Sequence, residues 1–314
     1  MKIAYLIAAH SDPRQLRRLI DALDMGEDTW FFVHVDKKVR LQPFKHALND
    51  LPIERVVLIK ERIYTQWGGY SQCRYQQALM KSCLESEIIF DRIFFLSGLD
   101  YPIRSNEEIL AYLEENAGRE LIMGIDFTTC KEPAWAQEKV TRYHFFRDIH
   151  VSNVKVRKVF TETAYRLTGL LPWRKPNYIE HEGGKLHLYK GSSWWCLSLD
   201  CLRYVYREMT QNPIYEHYFR YSLTPDEIMI QTIVFNSPFA AKAMLYEGPY
   251  PGLPALTPLH YIEYVHYIET FTEKDFEKLV RSGKLFARKI CSGTSDKLVE
   301  QLAIRRTCSN FATK

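Results

Sequence analysis

The first 124 residues alternate between short apolar runs and amphipathic stretches, and this alternation limits the folds open to the chain more than any other feature. Residues Ile3 to Ala9 are continuously apolar over the length of a strand, and Ser11-Asp12-Pro13 then supplies the start signal of a helix. The apolar residues of that helix recur at the spacing of one buried face: Leu16, Leu19, Ile20 and Leu23.

The pattern continues with further predicted elements. The predicted strands are Trp30 to Val35, Arg55 to Ile59, Arg92 to Leu96 and Glu120 to Gly124. The predicted helices are Gln72 to Leu84 and a second that runs from the capping box Ser105-x-x-Glu108 through Leu113. Such alternation predicts an α/β fold with a central, mostly parallel sheet flanked by helices, where ligands bind at the carboxyl ends of the strands. His10, Asp36 and the turn from Ser97 to Arg104 should therefore share one rim.

Composition and missing motifs exclude several classes of protein. The 314 residues carry a net charge of only +4, which does not indicate a nucleic-acid partner. Neither a P-loop nor a G-x-G-x-x-G motif is present, and Asp-x-Asp does not occur. The seven cysteines form no C-x-x-C pair, which fits a reducing cytosol, and no apolar run approaches the roughly 20 residues of a membrane span.

Three segments carry candidate chemical groups, each with a structural alternative. Asp36 ends a strand, where it can accept hydrogen bonds from a base or ribose or simply cap the next turn. In Thr224-Pro225-Asp226-Glu227, Glu227 is either a general base or the N3 residue of a capping box that folds back on its own helix. The stretch Lys284 to Lys289 is either a solvated basic face or a cation site that can stabilise a diphosphate leaving group.

Seven short motifs, in order along nearly the whole chain, resemble one family. They are Ala4-Tyr5-Leu6-Ile7-Ala8-Ala9-His10, His34-Val35-Asp36, Tyr64-x-x-Trp67-Gly68-Gly69, Ser97-Gly98-Leu99-Asp100-Tyr101-Pro102-Ile103-Arg104-Ser105-Asn106, Gly191-Ser192-Ser193-Trp194-Trp195, Thr224-Pro225-Asp226-Glu227 and Leu285-Phe286-Ala287-Arg288-Lys289. The family is the core-2/I-branching β-1,6-N-acetylglucosaminyltransferases (glycosyltransferase family 14), which also contains the peptide O-xylosyltransferases. The chain resembles a bacterial-type member.

The resemblance implies a single GT-A-type catalytic domain that uses a UDP-sugar, inverts the anomeric centre and needs no divalent metal or other cofactor. Residues 1–125 would be the nucleotide-sugar half, 126–190 a basic insert and acceptor region, and 191–314 the half with the catalytic base and the diphosphate site. Glu227 matches the family's base. The residues expected to bind the donor are His10, Asp36, Arg62, Trp67, Asp100, His266, Arg288 and Lys289. Trp194, Trp195 and Tyr264 are the expected acceptor platforms, since aromatic faces bury the apolar side of a pyranose.

The chain departs from the family pattern in two respects. A second diphosphate-binding cation, an arginine in well-studied members, falls at or near His266, so that either His266 contributes part of the charge or Arg288 replaces it. Animal members carry a membrane anchor and secretory disulfides, and neither is recognised in this sequence. We therefore expect a cytoplasmic enzyme of surface-glycan synthesis, acting on a glycan or lipid-linked glycan. N-acetylglucosamine is the leading donor sugar; the alternatives are UDP-xylose or a catalytically degenerate carbohydrate-binding protein.

One segment concentrates the positive charge. Between Lys139 and Lys175 lie nine basic and two acidic residues, a local net charge of +7. Its apolar residues recur at helical spacing: Val156, Val159, Phe160, Ala164 and Leu167. Either this is an amphipathic helix packed on the core with a solvated basic face, or it contacts anionic lipid headgroups or a lipid-linked acceptor at the inner face of the cytoplasmic membrane.

Overall fold

A computed structural model of the chain describes residues 1–130, 134–151, 153–265 and 267–308. The strands are β1 (Ile3–Ala9), β2 (Thr29–Val35), β3 (Val56–Leu58), β4 (Arg92–Ser97), β5 (Asp100–Pro102), β6 (Met123–Asp126), β7 (Tyr178–His181), β8 (Gly184–His187), β9 (Tyr189–Lys190), β10 (Cys196–Leu197), β11 (Met244–Leu245), β12 (His260–Ile262) and β13 (Phe286–Arg288). The α-helices are α1 (Pro13–Leu23), α2 (Gln42–Ala47), α3 (Ser71–Leu84), α4 (Asn106–Glu115), α5 (Ala134–Thr141), α6 (Val154–Leu170), α7 (Leu199–Gln211), α8 (Pro213–Phe219), α9 (Met229–Phe235), α10 (Phe276–Arg281) and α11 (Asp296–Cys308).

The central sheet has the strand order β10-β4-β1-β2-β3. Strands β4, β1, β2 and β3 are parallel, whereas β10 joins the edge of β4 in the antiparallel direction. Side chains of β1 are buried on both faces of the sheet, as expected where helices cover both sides. The predicted α/β class with a mostly parallel sheet is confirmed, and strands from both predicted halves of the chain share this sheet.

The helices next to the sheet begin and pack as their sequences predict. Asp12 caps α1 by accepting a hydrogen bond from the main-chain N–H of Gln15 at 3.0 Å, and the apolar stripe of α1 is fully buried. The capping box of α4 is confirmed, since Ser105 Oγ accepts from the N–H of Glu108 at 3.2 Å and the Glu108 carboxylate accepts from the N–H of Ser105 at 2.7 Å.

Two predicted elements differ from the structure. The strand expected at Glu120 to Gly124 is shifted to β6 and belongs to a separate sheet of order β11-β6-β9. The turn after β4 contains the short strand β5, which pairs with β13 across 188 residues of chain so that Asp100 lies opposite Arg288. Such pairings between distant segments leave no periodic signal in the sequence, whereas the helices and parallel strands do.

Two small sheets bring the C-terminal half to the rim of the central sheet. In one, β9 pairs with β6 and sets the position of Lys190. In the other, of order β12-β13-β5, β13 ends at Arg288. Across the described ranges, no helix is both long and apolar enough to cross a membrane.

Candidate active site

The carboxyl ends of β1, β2 and β4 open into a cleft with a cavity volume of about 1000 Å³. A volume of this order is typical of sites for small molecules and cofactors. Predicted residues from distant parts of the chain meet in its lining: His10, Asp36, Trp67, Trp194, Glu227, Tyr264, Arg288 and Lys289. The shared rim is present as expected, because His10, Asp36 and Ser97 all line this cleft.

One end of the cleft is formed where β2 stops. Asp36 is buried there, and its carboxylate accepts hydrogen bonds from the main-chain N–H groups of Lys38 at 2.9 Å and Thr65 at 3.3 Å. Arg62 donates to the main-chain carbonyls of Val35 and Asp36 at 2.8 Å, and it lies outside the set of described residues that line the cleft. Arg62 therefore shapes the strand end that presents Asp36 rather than facing the cavity, which corrects its predicted place in the donor site.

Two predicted residues stand at the mouth of the cleft. Trp67 is 68% exposed and lines the cleft, so part of its ring is accessible to a ligand. His10 follows β1, and desolvation followed by the charge of Arg288 lowers the pKa of its imidazole. A neutral His10 ring can both donate and accept hydrogen bonds at this rim.

Arg288, at the end of β13, is held by a buried carboxylate. Asp100 is fully buried and accepts hydrogen bonds from Arg288 Nη1 at 2.9 Å, His260 Nε2 at 3.1 Å and the main-chain N–H of Ser97 at 2.7 Å. Burial alone would raise the pKa of Asp100, but His260 and Arg288 outweigh it and hold that pKa below its ordinary value. Asp100 was predicted to bind the donor, but it does not line the cleft. It instead positions Arg288, which lines the cleft together with Lys289.

The carboxylate of Glu227 faces the cleft and is paired with Lys190. The Nζ of Lys190 donates to Oε2 of Glu227 at 2.5 Å, and Lys190 is almost wholly buried while 19% of the Glu227 side chain is exposed. Burial opposes the charge on Lys190, yet the Glu227 carboxylate outweighs it and raises the pKa of the amine. Lys190 therefore remains a cation. It orients the Glu227 carboxylate through Oε2 and leaves Oε1 outside this ion pair.

The alternative in which Glu227 belongs to a capping box is wrong. Within the described residues Thr224 makes no side-chain cap hydrogen bond, and its backbone is left-handed, with φ of 49°. That conformation is costly for a β-branched residue and is typical of functional sites. A single 3₁₀ turn over Pro225–Glu227 replaces the start of a regular helix, so Glu227 points toward Lys190 rather than its own cap.

The main chain of Glu227 is held by Gly191. The N–H of Gly191 donates to the Glu227 carbonyl at 2.9 Å. A Cβ atom at Gly191 would lie 2.0 Å from the carbonyl oxygen of Met123 in β6, a distance that no side chain tolerates. Glycine is needed here because three backbone segments approach one another directly behind the carboxylate.

Asp226 is a second carboxylate beside Glu227, and it is buried. Its Oδ2 accepts hydrogen bonds from Ser193 Oγ at 2.6 Å and Gln72 Nε2 at 3.1 Å, whereas its Oδ1 has no partner among the described residues. Burial, and then the charge of Glu227, raise the pKa of Asp226 to about 7. Near neutral pH Asp226 is therefore partly protonated, and it lies next to the Glu227 carboxylate that is paired with Lys190.

The three predicted aromatic platforms lie in different environments. Trp194 and Tyr264 line the cleft, and Tyr264 is 53% exposed. Trp195 is wrongly predicted as a platform: it is fully buried and stacks on Phe95 of the central sheet at 5.4 Å, so neither face can meet a sugar. The prediction for His266 falls outside the described residues.

Sequence reasoning missed two residues of this site, although each had a signal. Asp226 directly precedes Glu227, and Lys190 directly precedes the Gly191 to Trp195 motif. What the sequence could not reveal is burial, which makes Asp226 hard to ionise and encloses Lys190 against the Glu227 carboxylate.

Comparison with known proteins assigns the chain to a family. A family model described as Core-2/I-Branching enzyme matches residues 3–247. The chain belongs to this family. The observed sheet and flanking helices agree with the GT-A-type fold that the family resemblance implied. The matched residues of the branching-enzyme family include Glu227, Lys190 and Asp36 but end before Arg288 and Lys289.

The curated relatives of this branching-enzyme family member include xylosyltransferases. Xylosyltransferase 2 of Rattus norvegicus is 27% identical over 243 residues, which are 76% of this chain and 25% of that protein. Xylosyltransferase oxt of Drosophila melanogaster is 23% identical over 241 residues, 76% of this chain and 24% of that protein. The chain thus spans about a quarter of the length of these relatives.

Among solved structures, mouse xyloside xylosyltransferase 1 in its apo form matches 92% of this chain and 98% of its own, at 11% identity and a TM-score of 0.36. Staphylococcus aureus TarS matches 45% of this chain and 25% of its own, at 14% identity and a TM-score of 0.27. Likeness at these TM-scores adds nothing to the family match.

Proposed function

We propose that this branching-enzyme family member transfers a sugar from a UDP-sugar to a hydroxyl group of a glycan acceptor. The observation that carries the proposal is a single cleft that contains the Glu227 carboxylate, held by Lys190, together with the cations Arg288 and Lys289. A base for the attacking hydroxyl and positive charge for a departing diphosphate are the two groups that such a displacement requires.

The reaction proceeds with inversion at the anomeric carbon. The acceptor O–H gives its proton to the Glu227 carboxylate while the acceptor oxygen bonds to the anomeric carbon. The bond from that carbon to the β-phosphate oxygen breaks, and UDP leaves with its electron pair from the opposite face. Lys190 holds Glu227 in place for this step and balances its charge before the proton arrives.

Positive side chains take the place of a divalent metal at the diphosphate. Arg288 is oriented by Asp100, and Lys289 follows it directly at the end of β13. Charged donors that are already oriented stabilise leaving-group charge without moving during the reaction. The lack of an Asp-x-Asp motif in the sequence supports the same conclusion.

N-acetylglucosamine is the proposed donor sugar, with xylose as the alternative that the names of the curated relatives favour. Asp36 and His10 lie where the uridine would bind, at the carboxyl ends of β2 and β1. Trp194 and Tyr264 supply faces for the acceptor, which we propose is a surface glycan. A degenerate carbohydrate-binding protein is the alternative of a different class.

Thermal unfolding in the presence of UDP, UDP-N-acetylglucosamine and UDP-xylose, all in EDTA, tests the donor and the metal independence together. A ligand that binds the folded state raises the midpoint by mass action. We expect an increase with at least one UDP-sugar, and its loss in Lys289→Met but not in the exposed control Lys297→Met. An increase only after Mn²⁺ is added would contradict metal independence, and binding without any release of UDP would favour the carbohydrate-binding alternative.

A further inference from the structure

Helix α6 is packed with its small and polar side toward the protein. Among the side chains that the structure describes from Lys155 onward, the helix buries Thr161, Ala164 and Thr168, which recur at i, i+3 and i+7. None of these three residues of the inner stripe has a large apolar side chain. The expectation of an amphipathic helix packed on the core by its apolar face is therefore wrong for α6.

The large apolar side chains of α6 form a second stripe that faces outward. This outer stripe consists of Val156, Val159, Phe160, Leu167 and Leu170. Phe160 is 53% exposed and Leu170 is 83% exposed, and the following turn adds Trp173, which is 56% exposed. At 100° per residue all five residues of the stripe fall within about one third of the helix circumference. Contiguous exposed apolar surface of this kind marks a binding surface rather than ordinary scatter.

Positive charge borders the outer stripe. Lys155 and Arg166 lie directly beside the stripe on one flank of α6, Lys158 lies further round the helix on the same side, and Arg174 follows the helix. The one acidic residue in the α6 sequence, Glu162, lies 3.6 Å from Lys158 in an exposed ion pair. An apolar face flanked by cations is the pattern of helices that lie in the interface of an anionic membrane. Two copies of the chain joined stripe to stripe would instead bring these cations near one another.

The helix is joined to the wall of the cleft. Arg142, at the end of the α5 region, donates to the main-chain carbonyl of Tyr165 in α6, and Tyr165 Oη donates to Glu138 of α5 at 3.0 Å. On the same helix, Lys139 lines the cleft, and its carbonyl accepts from the N–H of Leu223 at 2.8 Å. A surface bound through α6 is therefore connected through α5 to the segment that leads to Glu227.

The turn after α6 is hydrogen-bonded to the end of α5 and to the segment that leads to Glu227. The main-chain N–H of Lys175 donates to the carbonyl of Thr141 at 2.7 Å, and its buried Nζ donates to Ser222 Oγ at 2.6 Å. The C-terminal half of α6 and the turn that follows it are thus attached to the cleft side of the protein, while Lys155, Lys158, Arg166 and Arg174 are exposed.

We propose that the outer stripe of α6, with Leu171 and Trp173, binds the surface of a bilayer that contains anionic lipids. The apolar side chains enter the boundary between headgroups and acyl chains, and the flanking lysines and arginines contact lipid phosphates. This proposal does not depend on the proposed transferase activity, since it concerns a surface outside the cleft.

Flotation of the full chain with vesicles tests it. At low salt we expect the protein to float with vesicles of phosphatidylcholine and phosphatidylglycerol, and at least 10-fold less with phosphatidylcholine alone. High salt should weaken the binding, because headgroup attraction is screened. Equal flotation with neutral and anionic vesicles at low salt, or none with either, would overturn the proposal.

Matched variants separate the two parts of the surface. The triple variant Val159→Ser, Phe160→Ser and Leu170→Ser should lose flotation, whereas a control with Ile53→Ser, Ile89→Ser and Ile304→Ser, also exposed, should retain it. The triple variant Lys155→Gln, Lys158→Gln and Arg166→Gln should lose the preference for anionic vesicles, unlike a control with Lys81→Gln, Arg203→Gln and Lys297→Gln, which removes the same number of charges. Circular dichroism shows whether each variant is folded.

A second readout distinguishes a membrane from a second copy of the chain. Brominated anionic lipids should quench tryptophan fluorescence in the wild type and quench it much less in Trp173→Phe, which folds without loss of a buried contact because that ring is exposed. If the apolar triple variant instead abolishes a dimer in sedimentation velocity and leaves flotation unchanged, the surface is a contact between copies and the proposal fails.

Discussion

Glu227 and Asp100 are both carboxylates held by cations near one cleft, yet their surroundings differ. Asp100 is fully buried and accepts three hydrogen bonds, from Arg288, His260 and the main chain of Ser97. Glu227 is partly exposed to the cleft and is paired with Lys190. A carboxylate with all its partners inside the protein positions other groups, whereas one that water can reach through the cleft can take up a proton. The difference in burial thus separates a positioning role from a catalytic one.

Removing the charge of Asp100 should produce the largest loss of stability. In Asp100→Asn the Arg288 guanidinium, which is only 12% exposed, loses its fully buried anionic partner, and breaking such a pair costs up to about 3–5 kcal/mol. We expect the free energy of unfolding measured in urea to fall by this order, and UDP to bind more weakly. A fully stable variant with unchanged UDP affinity would show that Asp100 does not position Arg288.

Removing the partner of Glu227 should cost less stability and more activity. In Lys190→Met the carboxylate loses a charged hydrogen bond worth about 1.5–3 kcal/mol, but water in the cleft compensates part of that loss. Urea unfolding should show a smaller change than Asp100→Asn, while turnover falls because Glu227 is no longer oriented. Turnover equal to that of the wild type would exclude an orienting role for Lys190.

A methyl group at Gly191 should disturb the backbone behind Glu227 and leave the surroundings of Asp100 unchanged. The added Cβ of Gly191→Ala would collide with the Met123 carbonyl, and such overpacking costs about 1–3 kcal/mol. Gly183→Ala is the matched control, because a Cβ there meets nothing within 4 Å. We expect Gly191→Ala to have a lower free energy of unfolding in urea and lower turnover, and Gly183→Ala to have wild-type values. Equal stability and turnover in the two variants would show that the Met123 carbonyl does not lie close to Gly191.

A fourth prediction concerns the pH dependence of stability. Burial raises the pKa of Asp226 to about 7 in the folded protein, above the ordinary carboxyl value of 3.8 that applies to the unfolded chain. The unfolded state therefore releases this proton at lower pH, and the free energy of unfolding should decrease as pH rises from about 4 to about 7. Urea titrations at several pH values should show a weaker decrease in Asp226→Asn; an identical slope would mean that Asp226 ionises normally.

The sequence predicts the helices and the parallel strands well, because their periodicity is local. The buried stripe of α1 and the capping box at Ser105 are both present as predicted. The pairing of β5 with β13 was not predictable, since it joins residues far apart in the chain. Because this pairing places Asp100 behind Arg288, the prediction that Asp100 itself lines the cleft was wrong.

Burial accounts for the remaining differences in the site. Adjacent tryptophans in one motif point to opposite environments, so that Trp194 lines the cleft and Trp195 enters the core. The Thr224 to Glu227 sequence fits a capping box equally well, and only the left-handed backbone at Thr224 directs Glu227 toward Lys190. In α6 the predicted helix is present and four of the five predicted apolar residues share one face, whereas Ala164 is buried on the other side. Which side faces the protein depends on the elements packed beside the helix.

The central claim is that Glu227 takes the proton from the acceptor. The most direct measurement is UDP release with acceptor in EDTA by the wild type, Glu227→Gln and the exposed control Glu54→Gln, with UDP affinity determined for each. Glu227→Gln keeps the size and polarity of the side chain but cannot act as a base, so we predict a loss of turnover of about 10²–10⁴-fold at unchanged UDP affinity and wild-type turnover in Glu54→Gln. Turnover within a few-fold of the wild type in Glu227→Gln would contradict the account.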